Sequence, residues 1–90
     1  MSEQTVDVEI TNPMGLHLRT GKDVVQLANQ FDAEITAQNL TRVSPIVNIK
    51  SILQLMQLQA RQGHILRLTA QGQDAGAALT ALTLLFHSVQ

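Results

Sequence analysis

The residues best suited to chemistry lie in one short stretch, in which Arg19 follows His17 by two positions. A neutral imidazole is one of the few side chains that is nucleophilic near neutral pH. The guanidinium of an arginine offers a planar fork of donors to phosphoryl oxygens. The pair therefore predicts a histidine that accepts a phosphoryl group, with Arg19 stabilising the charge of that group.

Two predicted elements and a turn set the position of this histidine. Residues 6–10 alternate between apolar and polar side chains, which is typical of a half-buried strand, and residues 24–31 have apolar side chains at helical spacing. Asn12, Pro13 and Gly15 form turns, so His17 should lie where the helix begins. Free N–H groups and the positive end of the helix dipole favour a phosphoryl dianion there.

The motif around the histidine resembles that of a known family. Residues 15–19, Gly-Leu-His-Leu-Arg, are similar to the Gly-Leu-His-Ala-Arg-Pro signature of HPr, the histidine-containing phosphocarrier family of the phosphoenolpyruvate-dependent sugar phosphotransferase system. Residues 50–53, Lys-Ser-Ile-Leu, resemble a second family motif. Residues 63–72 and the helix that follows resemble the family's last strand and closing helix, so the resemblance covers nearly the whole chain.

The resemblance implies a phosphocarrier. His17 would accept a phosphoryl group at Nδ1 from an enzyme I-like donor and pass it to enzyme II-type acceptor proteins, with no cofactor and no metal. Ser51 would be a regulatory phosphorylation site, which would add a serine kinase to the partners. Ile52, Leu53 and Met56 would belong to an apolar docking patch beside the histidine, because exposed apolar patches commonly mark partner interfaces.

Three positions depart from the family pattern. Leu18 replaces a small residue, and Thr20 and Gly21 replace the Pro-Ala pair that normally opens the first helix. Leu18 adds bulk where a partner should dock, and Thr20 is expected beside it at the same docking surface. Glycine in an early helical turn costs roughly 1 kcal/mol relative to alanine. The region from Ile35 to Lys50 also contains a longer loop, which we expect around residues 39–42.

The remaining patterns predict the order βαββαβα. Further strands are expected at residues 32–38, 43–47 and 64–70, and Pro45 favours a sheet edge for the second of these. Ser51 or Asn48 would cap a short helix that runs to about residue 58, and Asp74 would cap the last helix. One face of that last helix is expected to carry Ala75, Leu79, Leu82, Phe86 and Val89. The resemblance implies an α+β open-faced β-sandwich, with a four-stranded antiparallel sheet covered on one face by three helices.

Composition limits the classes of protein. Ninety residues, with a net charge of −1, fit one domain over residues 1–90. Two aromatic residues and no excess of basic residues argue against a nucleic-acid binder. The absence of cysteine, of a signal-like start and of a long apolar run favours a cytoplasmic protein that does not insert into membranes. We also expect a monomer.

Alternatives remain for the whole chain and for single residues. The chain could instead be a regulatory interaction module, in which a partner reads the phosphorylation state of His17 and Ser51. An autonomous hydrolase is disfavoured because no metal ligands or nucleophilic triad are evident. Ser51 could be a helix cap alone, and Lys50 a solvated charge. His64 and His87 lack partners at catalytic spacing and are expected at the surface or at helix ends.

Overall fold

A computed structural model describes residues 3–88, which form one sheet and three helices. The strands are antiparallel and lie in the order β1-β4-β2-β3. In chain order the elements are β1 (Glu3–Glu9), α1 (Leu18–Ala28), β2 (Glu34–Asn39), β3 (Val47–Asn48), α2 (Ile52–Met56), β4 (Ile65–Gln71) and α3 (Ala75–Ser88). The predicted open-faced α+β architecture and its element order are confirmed.

Alternation of side chains along the strands gives the sheet one buried face. Val8 pairs with Leu66, and Ala37 pairs with Leu68, so that apolar side chains meet across the ladder. The inward residues are Val8, Ile35, Ala37, Asn39, Val47, Leu66, Leu68 and Ala70, all of which are buried. Since the side-chain period of a strand is two, the opposite face carries polar residues, among them Asp7 and Arg67, whose side chains pair at 2.9 Å.

The helices supply the other half of the core. In α1, Val24 and Ala28 are fully buried, one turn apart on the same face. The predicted inner face of α3 is confirmed by the buried residues Ala75, Leu79, Leu82 and Phe86, while Val89 lies outside the described residues. Between Glu3 and Ser88, no helix has the length and apolar character needed to cross a membrane.

The third strand differs from its prediction. It was expected at residues 43–47, but β3 is only Val47–Asn48. Val43 has a φ of +51°, a conformation that no strand contains. The Ser44 hydroxyl accepts the N–H of Asn39 at 2.8 Å and donates to the carbonyl of Pro45 at 2.9 Å, so this segment is a loop closed on the end of β2. The predicted position at the sheet edge is confirmed.

The second helix is shorter than predicted. Its N-cap is Ser51, whose hydroxyl accepts the N–H of Gln54 at 3.3 Å, whereas the Asn48 side chain accepts the N–H of Lys50 at 2.9 Å. The helix ends at Met56 rather than near residue 58. Gln59 has a φ of +47°, which ends the helical turns that follow α2.

Asp74 stands at the predicted cap position, but its carboxylate bonds to another segment. The carbonyl oxygen of Asp74 accepts the N–H of Ala78, while its carboxylate accepts the N–H groups of Asp32 and Ala33, both at 2.9 Å. The hydrogen bond from Asp32 is the first cause that lowers the pKa of Asp74 below its ordinary value. Lys50, expected to be solvated, donates from Nζ to the Phe31 carbonyl at 2.6 Å.

Candidate functional site

His17 is the N-cap residue of α1. Its φ and ψ are −110° and 178°, and its carbonyl oxygen accepts the N–H of Gly21 at 2.7 Å, the first hydrogen bond of the helix. The residue is half-buried. Sequence reasoning placed this histidine at the start of the helix, and the structure confirms that position.

Thr20 fixes the backbone of the histidine. Its hydroxyl accepts the N–H of His17 at 3.3 Å and donates to the His17 carbonyl at 3.1 Å. The residue is only 8% exposed. Thr20 was expected at the docking surface, and its hydroxyl is directed into the helix start, where it takes part in capping.

The turn before the histidine is held by Asn12. Its carbonyl accepts the N–H of Gly15 at 2.8 Å, and its side-chain Oδ1 accepts the N–H of Met14 at 2.9 Å. Gly15 has a φ of +70°, a left-handed conformation that glycine adopts without steric cost. This turn carries the chain from β1 to α1.

A second segment packs directly against this turn. Leu16 donates its N–H to the carbonyl of Ala60 at 2.9 Å. A Cβ atom on Gly15 would lie 2.6 Å from that carbonyl oxygen and 3.0 Å from the Cα of Arg61. Gly15 is therefore required by close backbone contact as well as by its φ.

The electrostatic surroundings of His17 favour an anion. The first turn of α1 contains no acidic residue, and it carries Arg19, whose side chain is exposed. Within residues 3–88 the Arg19 guanidinium has no hydrogen bond or ion pair, so it is available to a group bound at the histidine. Lys22 adds a further exposed positive charge one turn later.

Four apolar residues were expected at the docking surface: Leu18, which follows His17 in the chain, and Ile52, Leu53 and Met56 of α2. We call these four residues the apolar patch below. Leu18 is 60% exposed and Leu53 is 80% exposed, while Ile52 and Met56 are half-buried. A Cβ on Gly21 would lie 3.1 Å from Met56 Sδ and 3.2 Å from Ile52 Cδ1, which shows that α1 and α2 are in direct contact. Ser51, half-buried at the cap of α2, is next to this patch in the chain.

His64, expected at the surface or at a helix end, is half-buried and takes part in a hydrogen-bond network. Its Nδ1 lies 2.9 Å from Asn39 Nδ2 and accepts the backbone N–H of Arg61 at 3.1 Å. Asn39 is fully buried. Sequence reasoning missed the contact between them, because the two residues lie 25 positions apart in the chain.

Comparisons with known proteins agree with this geometry. The family model described as the PTS HPr component phosphorylation site matches residues 4–88. The chain is 39% identical over 80 residues to the phosphocarrier protein HPr of Neisseria meningitidis, which covers 89% of this chain and 86% of that protein. It is 42% identical over 73 residues to the multiphosphoryl transfer protein of Haemophilus influenzae, covering 81% of this chain but only 15% of that relative.

Solved structures show the same fold. An HPr from Thermoanaerobacter tengcongensis superimposes with a TM-score of 0.86 at 36% identity, covering 94% of this chain and 92% of that one. An HPr dimer from the same organism matches at 37% identity with a TM-score of 0.73, covering 90% of each chain. With an open sheet and a histidine at the start of its first helix, the chain is of the class of histidine phosphocarrier domains. The chain belongs to the PTS HPr family.

Proposed function

We propose that this chain relays a phosphoryl group between two proteins of a phosphotransferase system. His17 accepts the group from a phosphohistidine of an enzyme I-type donor that phosphoenolpyruvate has charged, and an enzyme II-type protein then removes it. In each step a nitrogen–phosphorus bond forms on the acceptor as the bond to the donor breaks. The observation that carries the proposal is the place of His17 at the N-cap of α1, before a first turn with Arg19 and no acid.

The geometry supports a role for each group. The free N–H groups and positive dipole end of α1 stabilise phosphoryl charge on the ring nitrogen, which by the family resemblance is Nδ1. The Arg19 guanidinium adds charge-assisted hydrogen bonds to the phosphoryl oxygens. The chain acts as a carrier rather than an enzyme, because its partners supply the remaining groups of each transfer site.

The partners dock on the apolar patch. Leu18 and Leu53 offer the exposed apolar area, and α1 also carries the exposed cations Arg19 and Lys22, which suits a partner surface with acidic residues. We further propose that the chain works as a monomer in the cytoplasm and that residues 1–90 are one domain. Sedimentation at micromolar concentration tests the monomer, since a related chain forms a dimer.

Ser51 supports a second, regulatory function. Its hydroxyl already faces the N–H of Gln54 at the start of α2, so a phosphate there would meet favourable backbone groups while adding charge beside the apolar patch. We propose that such a phosphate, added by a serine kinase, inhibits docking. In the alternative in which the chain is only an interaction module, the same charge would be read by a partner without transfer at His17.

The test is phosphoryl labelling. Incubation with labelled phosphoenolpyruvate and a purified enzyme I should give an acid-labile, base-stable label on the wild-type chain and on His87→Ala, but none on His17→Ala. Label that persists in His17→Ala would remove His17 from the mechanism. A wild-type chain that is never labelled would favour the interaction module.

A further inference from the structure

The segment that packs against the site is a turn without regular secondary structure. It consists of residues 59–64, which we call the support turn, and residues 10–17 form the acceptor loop. Two residues of the support turn, Gln59 and Gly63, have positive φ angles of 47° and 88°. One hydrogen bond closes this turn on itself, from the N–H of His64 to the Arg61 carbonyl at 3.0 Å, and contacts with other segments hold its position.

The support turn is joined to both ends of the acceptor loop. At one end, Gly63 donates its N–H to the carbonyl of Ile10 at 2.7 Å, and Ile10 donates to the carbonyl of His64 at 2.9 Å. At the other end, the Ala60 carbonyl accepts the N–H of Leu16 at 2.9 Å. The support turn is thus bonded directly to Leu16, the residue that immediately precedes His17.

The side chain of His64, at the end of the support turn, forms a hydrogen bond with the backbone of Arg61 in the same turn. A backbone N–H can only donate, so the 3.1 Å contact with the N–H of Arg61 makes Nδ1 of His64 an acceptor. In the neutral ring, this contact assigns the hydrogen to Nε2. Arg61 is the neighbour of Ala60, whose carbonyl holds Leu16.

Asn39 fixes the ring from the core side. Its Oδ1 accepts the N–H of Thr41 at 3.0 Å and its Nδ2 donates to the carbonyl of Leu58 at 3.1 Å, so the orientation of the amide is determined. The same Nδ2 donates to Nδ1 of His64 at 2.9 Å. Because Asn39 is fully buried at the end of β2, it anchors the histidine to the sheet.

We propose that His64 is a positioning residue for phosphoryl transfer at His17. Its Nδ1, held by Asn39, sets the backbone of Arg61 and Ala60, which in turn sets Leu16 and the start of α1. This inference rests on the proposed carrier function and adds to it a residue that makes no contact with the phosphoryl group. Placement matters because small errors in the geometry of reacting groups cost large factors in rate.

The test compares two variants that differ in one acceptor. His64→Ala removes the acceptor, whereas His64→Asn places an amide oxygen near the position of Nδ1. Transfer from phosphorylated enzyme I is measured at low and saturating donor, well below the melting temperature of each variant. Amide hydrogen exchange at Leu16 is measured on the same samples. If His64→Ala does not fold, His64→Gln, whose oxygen lies one bond further out, replaces it.

For His64→Ala we expect kcat to fall by roughly 10- to 100-fold with little change in KM for the donor, and the exchange of the Leu16 amide to become faster. His64→Asn should restore both. An unchanged kcat in His64→Ala, or a loss of rate without faster exchange at Leu16, would overturn the inference. If enzyme I does not phosphorylate the wild-type chain, the carrier function is contradicted. The role of His64 is then decided by amide exchange at Leu16 and by the rate at which phosphoramidate phosphorylates His17 in each variant.

Discussion

Leu16 donates its backbone N–H to the carbonyl oxygen of Ala60 at 2.9 Å, and this hydrogen bond joins the acceptor loop to a segment distant in the chain. Gly15, next to Leu16, lies so close to the same carbonyl that no side chain fits between them. The position of His17 therefore depends on contacts made through the backbone as well as on its own sequence motif.

Replacing Gly15 should separate these two segments. In Gly15→Ala the new Cβ would lie 2.6 Å from the Ala60 carbonyl oxygen, and a φ of +70° is unfavourable for alanine. We expect a loss of about 1–3 kcal/mol in the free energy of unfolding, measured by urea denaturation, and slower phosphoryl transfer. Gly63→Ala is the matched control, because its φ is +88° but its Cβ would meet open space. Equal losses in the two variants would show that the contact with Ala60 is unimportant.

Arg19 should affect the rate and not the stability. The side chain is exposed and has no partner within residues 3–88, so Arg19→Ala removes no contact of the folded chain. Loss of one charge-stabilising donor typically costs about 10²-fold or more in rate, and we expect stopped-flow transfer to slow by that order while the melting temperature is unchanged. Lys22→Ala, which removes an exposed cation one turn later, should slow transfer far less. Equal effects of the two variants would reduce Arg19 to a general surface charge.

Gly21 should influence docking more than folding. Alanine in a helix is favoured over glycine by roughly 1 kcal/mol, but in Gly21→Ala the new Cβ would lie 3.1 Å from Met56 Sδ and 3.2 Å from Ile52 Cδ1. These flexible side chains must move, so we expect a gain in stability clearly below that amount, together with an altered KM for enzyme I. A full stability gain with an unchanged KM would show that the apolar patch does not respond to this contact.

Substitutions of Ser51 should distinguish a role in helix capping from a role in regulation. Ser51→Ala should lower the free energy of unfolding by about 1 kcal/mol, because the N–H of Gln54 loses its acceptor. Ser51→Asp keeps an acceptor, so its melting temperature should stay level or rise, while its association rate with enzyme I falls in a salt-dependent way. Ser51→Thr, which keeps the hydroxyl, serves as the control. If Ser51→Asp has a lower melting temperature and binds enzyme I normally, Ser51 is a helix cap and has no regulatory role.

Asp74 should make part of the stability of the fold sensitive to acid. Hydrogen bonds, first that from Asp32, lower the pKa of its carboxyl below the ordinary value of 3.8. The ionised Asp74 carboxylate therefore stabilises the folded state fully above pH 3.8. This stabilisation is lost as the pH falls from 3.8 through the lower pKa of the folded state. Wild type should exceed Asp74→Asn in stability at neutral pH, and the difference in urea midpoints should shrink as the solution is acidified. Asp23→Asn, at an exposed site on α1, should show a smaller difference, and a constant gap for Asp74→Asn would contradict the assignment.

The sequence by itself determined the order of elements and the place of His17. Strong period-two and helical patterns, together with the turn at Asn12 to Gly15, are local signals, and local signals are what a sequence displays directly. The cap of α1 at His17 and the inner face of α3 followed from them. The family resemblance then supplied the four-stranded antiparallel sheet and the proposed regulatory role of Ser51.

Only the tertiary structure decided the features that join distant segments. The length of β3 was predicted wrongly, and the burial of Thr20 and the hydrogen bonds of His64 were not foreseen, because each depends on which side chain or backbone group a residue meets after folding. The Ser44 hydroxyl turns residues 40–46 into a loop, and the buried amide of Asn39 brings His64 to the support turn. Hydrogen bonds between residues far apart in the chain leave no periodic trace in a single sequence, so the support beneath His17 became visible only in the fold.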